Sequence, residues 1–452
     1  MVNKNEVYTV EITDLGVNGE GIGRIDNYIV FVANALPGEI VKVLVVKTKK
    51  SYGYGKLLEI IKPSLYRVEP VCPVANRCGG CNLQHLAYEQ QLVLKRQKVK
   101  NSLERIGELK DIDVLPTVGM DNPYYYRNKA QYPVGADENG IAVGFYAVGS
   151  HRIISSDACF IGNKENERVL KILKKFIKQY NIQPYNEQTH SGALRHIMIR
   201  QGVKTNELMV CLVINDTEFK LKNQLVDALM EIDNLKSLVI NYNTKKTNVI
   251  LGDKCETVYG QAYISDYIGK LKFNISPLSF FQVNPVQTEK LYNIALDFAN
   301  LTSNDVVIDA YCGAGTISLF LAQKAKMVYG VEIVEPAVEN ARENAKINNA
   351  SNVEFFTGKS EEIVPWLCEE KNVQPDIMVV DPPRKGCDKS LLDLILKILP
   401  EKVVYVSCDC ATLARDLNIL KKLYEIKKIQ PVDMFPHTYH VETVCLLSKK
   451  PQ

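Results

Sequence analysis

The stretch Val306-Val307-Ile308-Asp309-Ala310-Tyr311-Cys312-Gly313-Ala314-Gly315-Thr316 decides the fold. Three β-branched apolar residues run into an acid, two glycines follow one residue apart, and a helical pattern begins at about Gly315 and runs to Lys324. That reads as a strand, a tight turn and a helix. Outward from it, the apolar runs Met327–Val331, Ile377–Val380 and Val403–Val406 alternate with helical patterns at about Pro336–Asn348 and Lys389–Leu399. Such alternation predicts an α/β, doubly wound parallel sheet, Rossmann-like, over residues 272–452.

In such a sheet, ligands bind beyond the carboxyl ends of the strands. Glu332 ends the second strand, 23 positions after Asp309, where an acid accepts both hydroxyls of a ribose. A dinucleotide site would want a third glycine, and Ser318 stands there. An adenosine-bearing cofactor without a pyrophosphate, such as S-adenosylmethionine, fits this turn better. The third strand ends Asp381-Pro382-Pro383-Arg384, the position that faces the methyl acceptor in methyltransferases of this class. Arg384 is neither the aromatic group of amine methylation nor the cysteine of cytosine-5 methylation.

The fourth strand ends Ser407-Cys408-Asp409-Cys410 and opens a helix. A thiol there is expected to gain acidity from the helix N-terminus. Carbon 5 of uracil needs a nucleophile at carbon 6 before it accepts a methyl group, and a base must then remove its proton. His440-Val441-Glu442, just before the apolar run Thr443–Leu447, offers two candidates for the base, Glu442 and His440.

The remaining 271 residues read as two further units. Residues 1–62 carry strand-like runs at Val7–Ile12, Tyr28–Val32, Glu39–Val46 and Gly55–Ile61, with Gly16, Gly19, Gly21 and Gly23 as turns, which predicts an OB-like β-barrel. Lys42, Lys47, Lys49, Lys50 and Lys56 lie near Tyr52 and Tyr54, either as a surface for single-stranded nucleic acid or as guards of a strand edge. Residues 63–271 form an α+β region with a basic helix at about 89–106, expected to pack on the catalytic unit, and strands at Leu208–Ile214, Ser237–Tyr242 and Val249–Leu251. The amphipathic face Val169, Leu170, Ile172, Leu173, Phe176 and Ile177 marks another helix.

Composition narrows the class. The chain has 452 residues, 46% hydrophobic and 24% charged, with net charge +3, which excludes disordered and coiled-coil chains and makes any nucleic-acid contact a local matter. No run approaches about 18 apolar residues and MVNKNEVYTV lacks an apolar signal core, so a cytoplasmic protein is expected. Twelve cysteines without an export signal point to metal binding or catalysis, not disulfides. Cys72-x5-Cys78-x2-Cys81, with Cys159 beyond, offers four thiolates; on spacing alone this favours zinc.

Together the motifs resemble the RNA uracil-5 methyltransferase family, in particular its 23S ribosomal RNA branch. The matching residues are Phe281-Gln282-Val283-Asn284-Pro285, Asp309 through Thr316, Asp381-Pro382-Pro383-Arg384-Lys385-Gly386, Ser407-Cys408 through Arg415-Asp416, and His440-Val441-Glu442. The resemblance implies a class I S-adenosylmethionine methyltransferase domain, Cys408 as nucleophile and Glu442 as base. It implies Gln282, Tyr311, Glu332 and Asp381 as cofactor contacts, and a TRAM domain that binds RNA at residues 1–62. It also reverses the metal order: Cys72, Cys78, Cys81 and Cys159 match the branch's [4Fe–4S] ligands, with zinc as the alternative. Two positions depart from the family: Cys410 replaces a usual proline, and Lys359 stands where many relatives carry an acid. The rivals are the same chemistry on tRNA, whose enzymes usually lack both the TRAM segment and the cluster cysteines, and a non-catalytic, redox-responsive iron–sulfur RNA-binding protein. No membrane and no protein partner is implied.

Overall fold

The computed structural model describes residues 2–138 and 140–451. Strands β1 (Val7–Leu15), β2 (Gly21–Ile25), β3 (Tyr28–Val32), β4 (Ile40–Thr48) and β5 (Tyr52–Lys62) close into a barrel of order β1-β2-β3-β5-β4. Gly21 and Gly23, expected as turn residues, form β2 instead. The reason is crowding: a Cβ on Gly21 would fall 2.7 Å from the Ala35 carbonyl oxygen, and one on Gly23 would fall 2.3 Å from Val10. β1 pairs with β4 and β3 with β5, so no whole strand lies at an edge of the barrel. Phe31, Tyr52 and Tyr54 cluster on this barrel with ring centroids 5.7–5.8 Å apart.

Helix α1 (Tyr88–Arg105) follows the cysteine segment and buries Gln91, Lys95, Val99 and Leu103, one stripe at four-residue spacing. The central region is a seven-stranded sheet made of β6 (Lys129–Asp137), β7 (Gly140–Tyr146), β8 (Ile153–Ser155), β9 (Leu194–Gln201), β10 (Leu208–Ile214), β11 (Leu235–Tyr242) and β12 (Lys254–Gly260). Helices α2 (Glu165–Gln179) and α3 (Lys222–Leu229) belong to it, and α2 buries the apolar face seen in the sequence, with Ile172 half-buried. The strand expected at Val249–Leu251 is absent. Its carbonyls at Val249 and Ile250 accept from Asn243 Nδ2, which holds the segment in an irregular loop. A hairpin, β13 (Ile264–Ile268) and β14 (Leu271–Ile275), leads on to helix α4 (Pro285–Ala299).

The last unit contains β15 (Val306–Asp309), α5 (Thr316–Ala322), β16 (Met327–Glu332), α6 (Glu335–Ile347), β17 (Val353–Thr357), α7 (Ser360–Glu369), β18 (Ile377–Val380), α8 (Lys389–Ile398), β19 (Lys402–Ser407), α9 (Cys410–Leu420), β20 (Tyr424–Val432) and β21 (Glu442–Lys449). Its sheet runs β17-β16-β15-β18-β19-β21-β20, with the first five strands parallel and β21 antiparallel to both neighbours. This is the Rossmann-like architecture of class I methyltransferases. Helix α1, though distant in sequence, lies against α9, and Ser102 Oγ donates to Cys410 Sγ at 3.2 Å. Among the described residues no helix is long and apolar enough to cross a membrane.

Candidate active site

The reversed strand β21 creates the site. Because it runs antiparallel to β19, its amino end lies at the carboxyl end of the parallel strands, with Ser407 paired to Thr443. The residue just after β19 is Cys408 and the one before Thr443 on β21 is Glu442, so the register brings them side by side. Val380 pairs with Tyr405, which sets Asp381 beside the same end.

Electrostatics agree with that placement. The Cys408 thiol is pushed up to about 12, by burial first and then by the Glu442 and Asp381 carboxylates, with Arg384 pulling the other way. Burial pushes the Glu442 carboxyl up to about 7, and Arg384 again opposes. Asp381 is raised by burial and by its neighbours Glu442 and Asp309. His440 is driven down to about 4 by burial and then by Arg384, which leaves it neutral at pH 7. The thiol acidity expected from the helix N-terminus is not found. Burial and the Glu442 and Asp381 carboxylates outweigh it, and Asp409, the N-cap of α9, takes the Ala411 and Thr412 amides at 2.9 and 3.0 Å.

The neighbouring strand ends form a cradle. Gly313 (φ +52) and Gly315 (φ +76) adopt left-handed conformations in the turn after β15. A Cβ on Gly313 would meet open space, whereas one on Gly315 would fall 2.7 Å from Phe355. Glu332, half-buried at the end of β16, accepts from the Gly313 and Val334 amides at 3.2 and 2.9 Å. Asp309 is fully buried and raised to about 6 by burial; Ser318 donates to one of its oxygens at 2.6 Å, and the other is unpartnered. Ser318, which broke the dinucleotide fingerprint, therefore has a role in the turn. An acid at the ribose position and a glycine turn with room above it fit an adenosine cofactor. Gln282 is half-buried just before α4, and its carbonyl accepts from Asn128 Nδ2 at 3.0 Å. Tyr311 turns toward Cys387, Asp388 and Glu361, and its hydroxyl is raised, chiefly by burial.

The four candidate metal ligands lie apart from this cluster. Cys72, Cys78, Cys81 and Cys159 are all half-buried. Cys81 feels Cys159, Cys78 and Cys72, Cys78 feels Cys159 and Cys72, and Cys159 feels Cys72, so the four are neighbours. Among the described residues no three His, Cys, Asp or Glu side chains converge as ligands of a single metal ion.

Sequence reasoning missed the polar seam beneath the segment that leads to Glu442. Lys95 Nζ donates to Asp433 at 2.5 Å, Tyr88 donates to the other Asp433 oxygen at 2.8 Å, and Gln287 Nε2 donates to the Asp433 carbonyl at 3.0 Å. Asn284, the N-cap of α4, donates to the Met434 carbonyl at 3.0 Å. One signal was available: Asn284 sits within the quoted motif, three residues before Gln287.

Fold and site together define a methyltransferase that uses an adenosine cofactor at the carboxyl end of its sheet. The model of the tRNA (Uracil-5-)-methyltransferase family matches residues 87–450 and that of the TRAM domain matches residues 2–58. The chain belongs to the RNA uracil-5 methyltransferase family. An uncharacterized RNA methyltransferase of Clostridium tetani is 52% identical over 449 residues, covering 99% of this chain and 97% of its own. One from Halalkalibacterium halodurans is 51% identical over 451 residues, covering 99% and 98%. Among solved structures, the tRNA (uracil-54, C5)-methyltransferase of Pyrococcus abyssi, in complex with S-adenosyl-L-homocysteine, is 28% identical with a TM-score of 0.80. It covers 97% of this chain and 100% of its own, so an enzyme named for tRNA shares nearly the whole architecture, barrel included.

Proposed function

We propose that the protein methylates carbon 5 of uridine in 23S ribosomal RNA through a covalent bond between Cys408 and carbon 6 of the uracil. The observation that carries this reading is the strand register that sets Cys408 beside Glu442 at the cofactor end of the sheet. S-adenosylmethionine, when bound, supplies an electrophilic methyl group. Glu332 holds its ribose, and Gln282, Tyr311 and Asp381 supply the other contacts.

The half-buried Cys408 thiol gives its proton to solvent water, and the thiolate adds to carbon 6, which turns the uracil into an enolate able to accept the methyl group at carbon 5. Glu442, with its carboxyl near 7, is about half ionised at neutral pH and takes the carbon-5 proton. Expulsion of the Cys408 thiolate then restores the ring double bond. Arg384, the cation that lowers both groups, favours their ionised forms. The uridine must be unpaired or flipped out to reach this end of the sheet.

In the same reading residues 1–62 bind RNA, 63–271 carry the cysteine site and 272–452 transfer the methyl group, in the cytoplasm. Cys72, Cys78, Cys81 and Cys159 hold a [4Fe–4S] cluster, with zinc second. The support for a cluster over zinc is the family resemblance of the Cys72-x5-Cys78-x2-Cys81 and Cys159 pattern. The cluster would tie residues 72–81 to 159, and no step passes through it.

The likeness to the Pyrococcus abyssi enzyme favours tRNA as the second reading, because the barrel no longer argues against it. Mapping 5-methyluridine in RNA from cells with and without the protein separates the two. Loss from 23S ribosomal RNA supports the proposal, and loss from tRNA alone overturns it. Cys408→Ala should abolish methyl transfer from labelled cofactor; transfer at the parental rate would exclude the adduct.

A further inference from the structure

The four cysteines lie on two arms of the chain, and both arms end on one turn. After Cys81, the Asn82 and Leu83 amides both donate to the His437 carbonyl at 3.0 Å. Gln91 of α1 secures this contact: its Nε2 donates to the Leu83 and Leu86 carbonyls at 3.0 and 2.8 Å, and its Oε1 accepts the His437 amide at 2.9 Å. After Cys159, the Phe160 and Ile161 carbonyls accept from the Tyr125 and Arg127 amides. That strip then reaches the same turn, since Tyr124 stacks on the His437 ring at 4.5 Å and Tyr126 donates to the Pro436 carbonyl at 3.1 Å. His437 is only 2% exposed and holds φ at +66, a left-handed conformation that a non-glycine residue keeps only when its surroundings over-determine it. Five residues later comes Glu442.

We infer that His437 is a positioning residue through which the four-cysteine site holds the segment 436–442, and so Glu442, in place. The inference rests on Cys408 as nucleophile and Glu442 as base. The cofactor turn and Glu332 belong to other strands and do not depend on His437. Loss of the His437 ring therefore spares methyl transfer and slows removal of the carbon-5 proton, which follows it.

His437→Gly isolates the ring, because glycine keeps the left-handed backbone and the bonds to the His437 carbonyl. The variant should bind cofactor as the parent does, turn over about a hundredfold more slowly and accumulate a methylated protein–RNA adduct that survives denaturation. His437→Asn tolerates the same backbone and offers a polar group to Gln91, so it should recover part of the rate. Should His437→Gly lose cofactor binding, Tyr124→Leu removes the other half of the stack at a half-buried position and should give the same adduct. Without RNA or turnover, Cys81→Ser should speed amide exchange in residues 435–441. Unchanged exchange there, or a His437→Gly enzyme that turns over without adduct, overturns the inference. An adduct that persists when Cys408→Ala is added overturns instead the reading on which it rests.

Discussion

Lys95 and Asp433 meet at 2.5 Å with neither side chain exposed, across the seam between α1 and the segment that leads to Glu442. Removing one partner leaves the other's charge buried. Lys95→Met should cost about 3–5 kcal/mol of stability, and Lys95→Met with Asp433→Leu should recover most of it. Denaturant unfolding of the parent and the two variants checks this; equal stability of Lys95→Met and parent would show the pair to be uncoupled.

Glu442→Gln keeps the size of the base and removes its ability to take a proton. Methyl transfer should still occur once, leaving the methylated adduct on Cys408 as a slow band on a denaturing gel with labelled RNA. If no band forms and turnover persists, His440 becomes the next candidate.

The pH dependence separates those two bases. A base acts when unprotonated, so a carboxyl raised to about 7 makes the rate of carbon-5 proton removal climb about tenfold per unit below 7 and flatten above it. His440, driven down to about 4, is already neutral throughout that range and gives no limb there. Single-turnover release of methylated RNA from the preformed adduct, in which Cys408 is already bonded to carbon 6 and does not titrate, should therefore show the limb between pH 5.5 and 8.5, an interval of about three units around 7, and lose it in Glu442→Gln.

The two glycines of the cofactor turn should differ. At Gly313 an alanine meets open space and costs only the left-handed backbone, about 1–2 kcal/mol. At Gly315 the same change also drives Cβ to 2.7 Å from Phe355, adding about 1–3 kcal/mol. Thermal unfolding should rank Gly315→Ala well below Gly313→Ala.

The four central parallel strands were legible because each is an apolar run ended by a turn residue or an acid. Strand β20 was not, because Lys427 and Lys428 sit inside it and its register slips between Ile426 and Lys428, which breaks the alternation. Strand β17 escaped notice as a short edge strand of five residues, Val353–Thr357. Lys95 looked like one more surface charge on a basic helix, and only the fold supplies the buried acid that explains it. Cys408 and Glu442 were legible as residue types at strand ends, but their pairing depends on a strand direction that periodicity does not encode. The thiol's acidity does not follow from the sequence because burial and the Glu442 and Asp381 carboxylates, which only the fold brings beside it, push it up, while Asp409 takes the helix amides.

The seam also sets an order of events during synthesis. Lys95 and Asp433 are 338 positions apart, so at ordinary translation speeds about 20–70 s separate their emergence from the ribosome. Through that interval α1 carries a lysine whose burial is unfavourable until its acid arrives. A copy that stops short of Asp433 therefore keeps an unclosed seam, with a lysine in α1 that has no acid to meet.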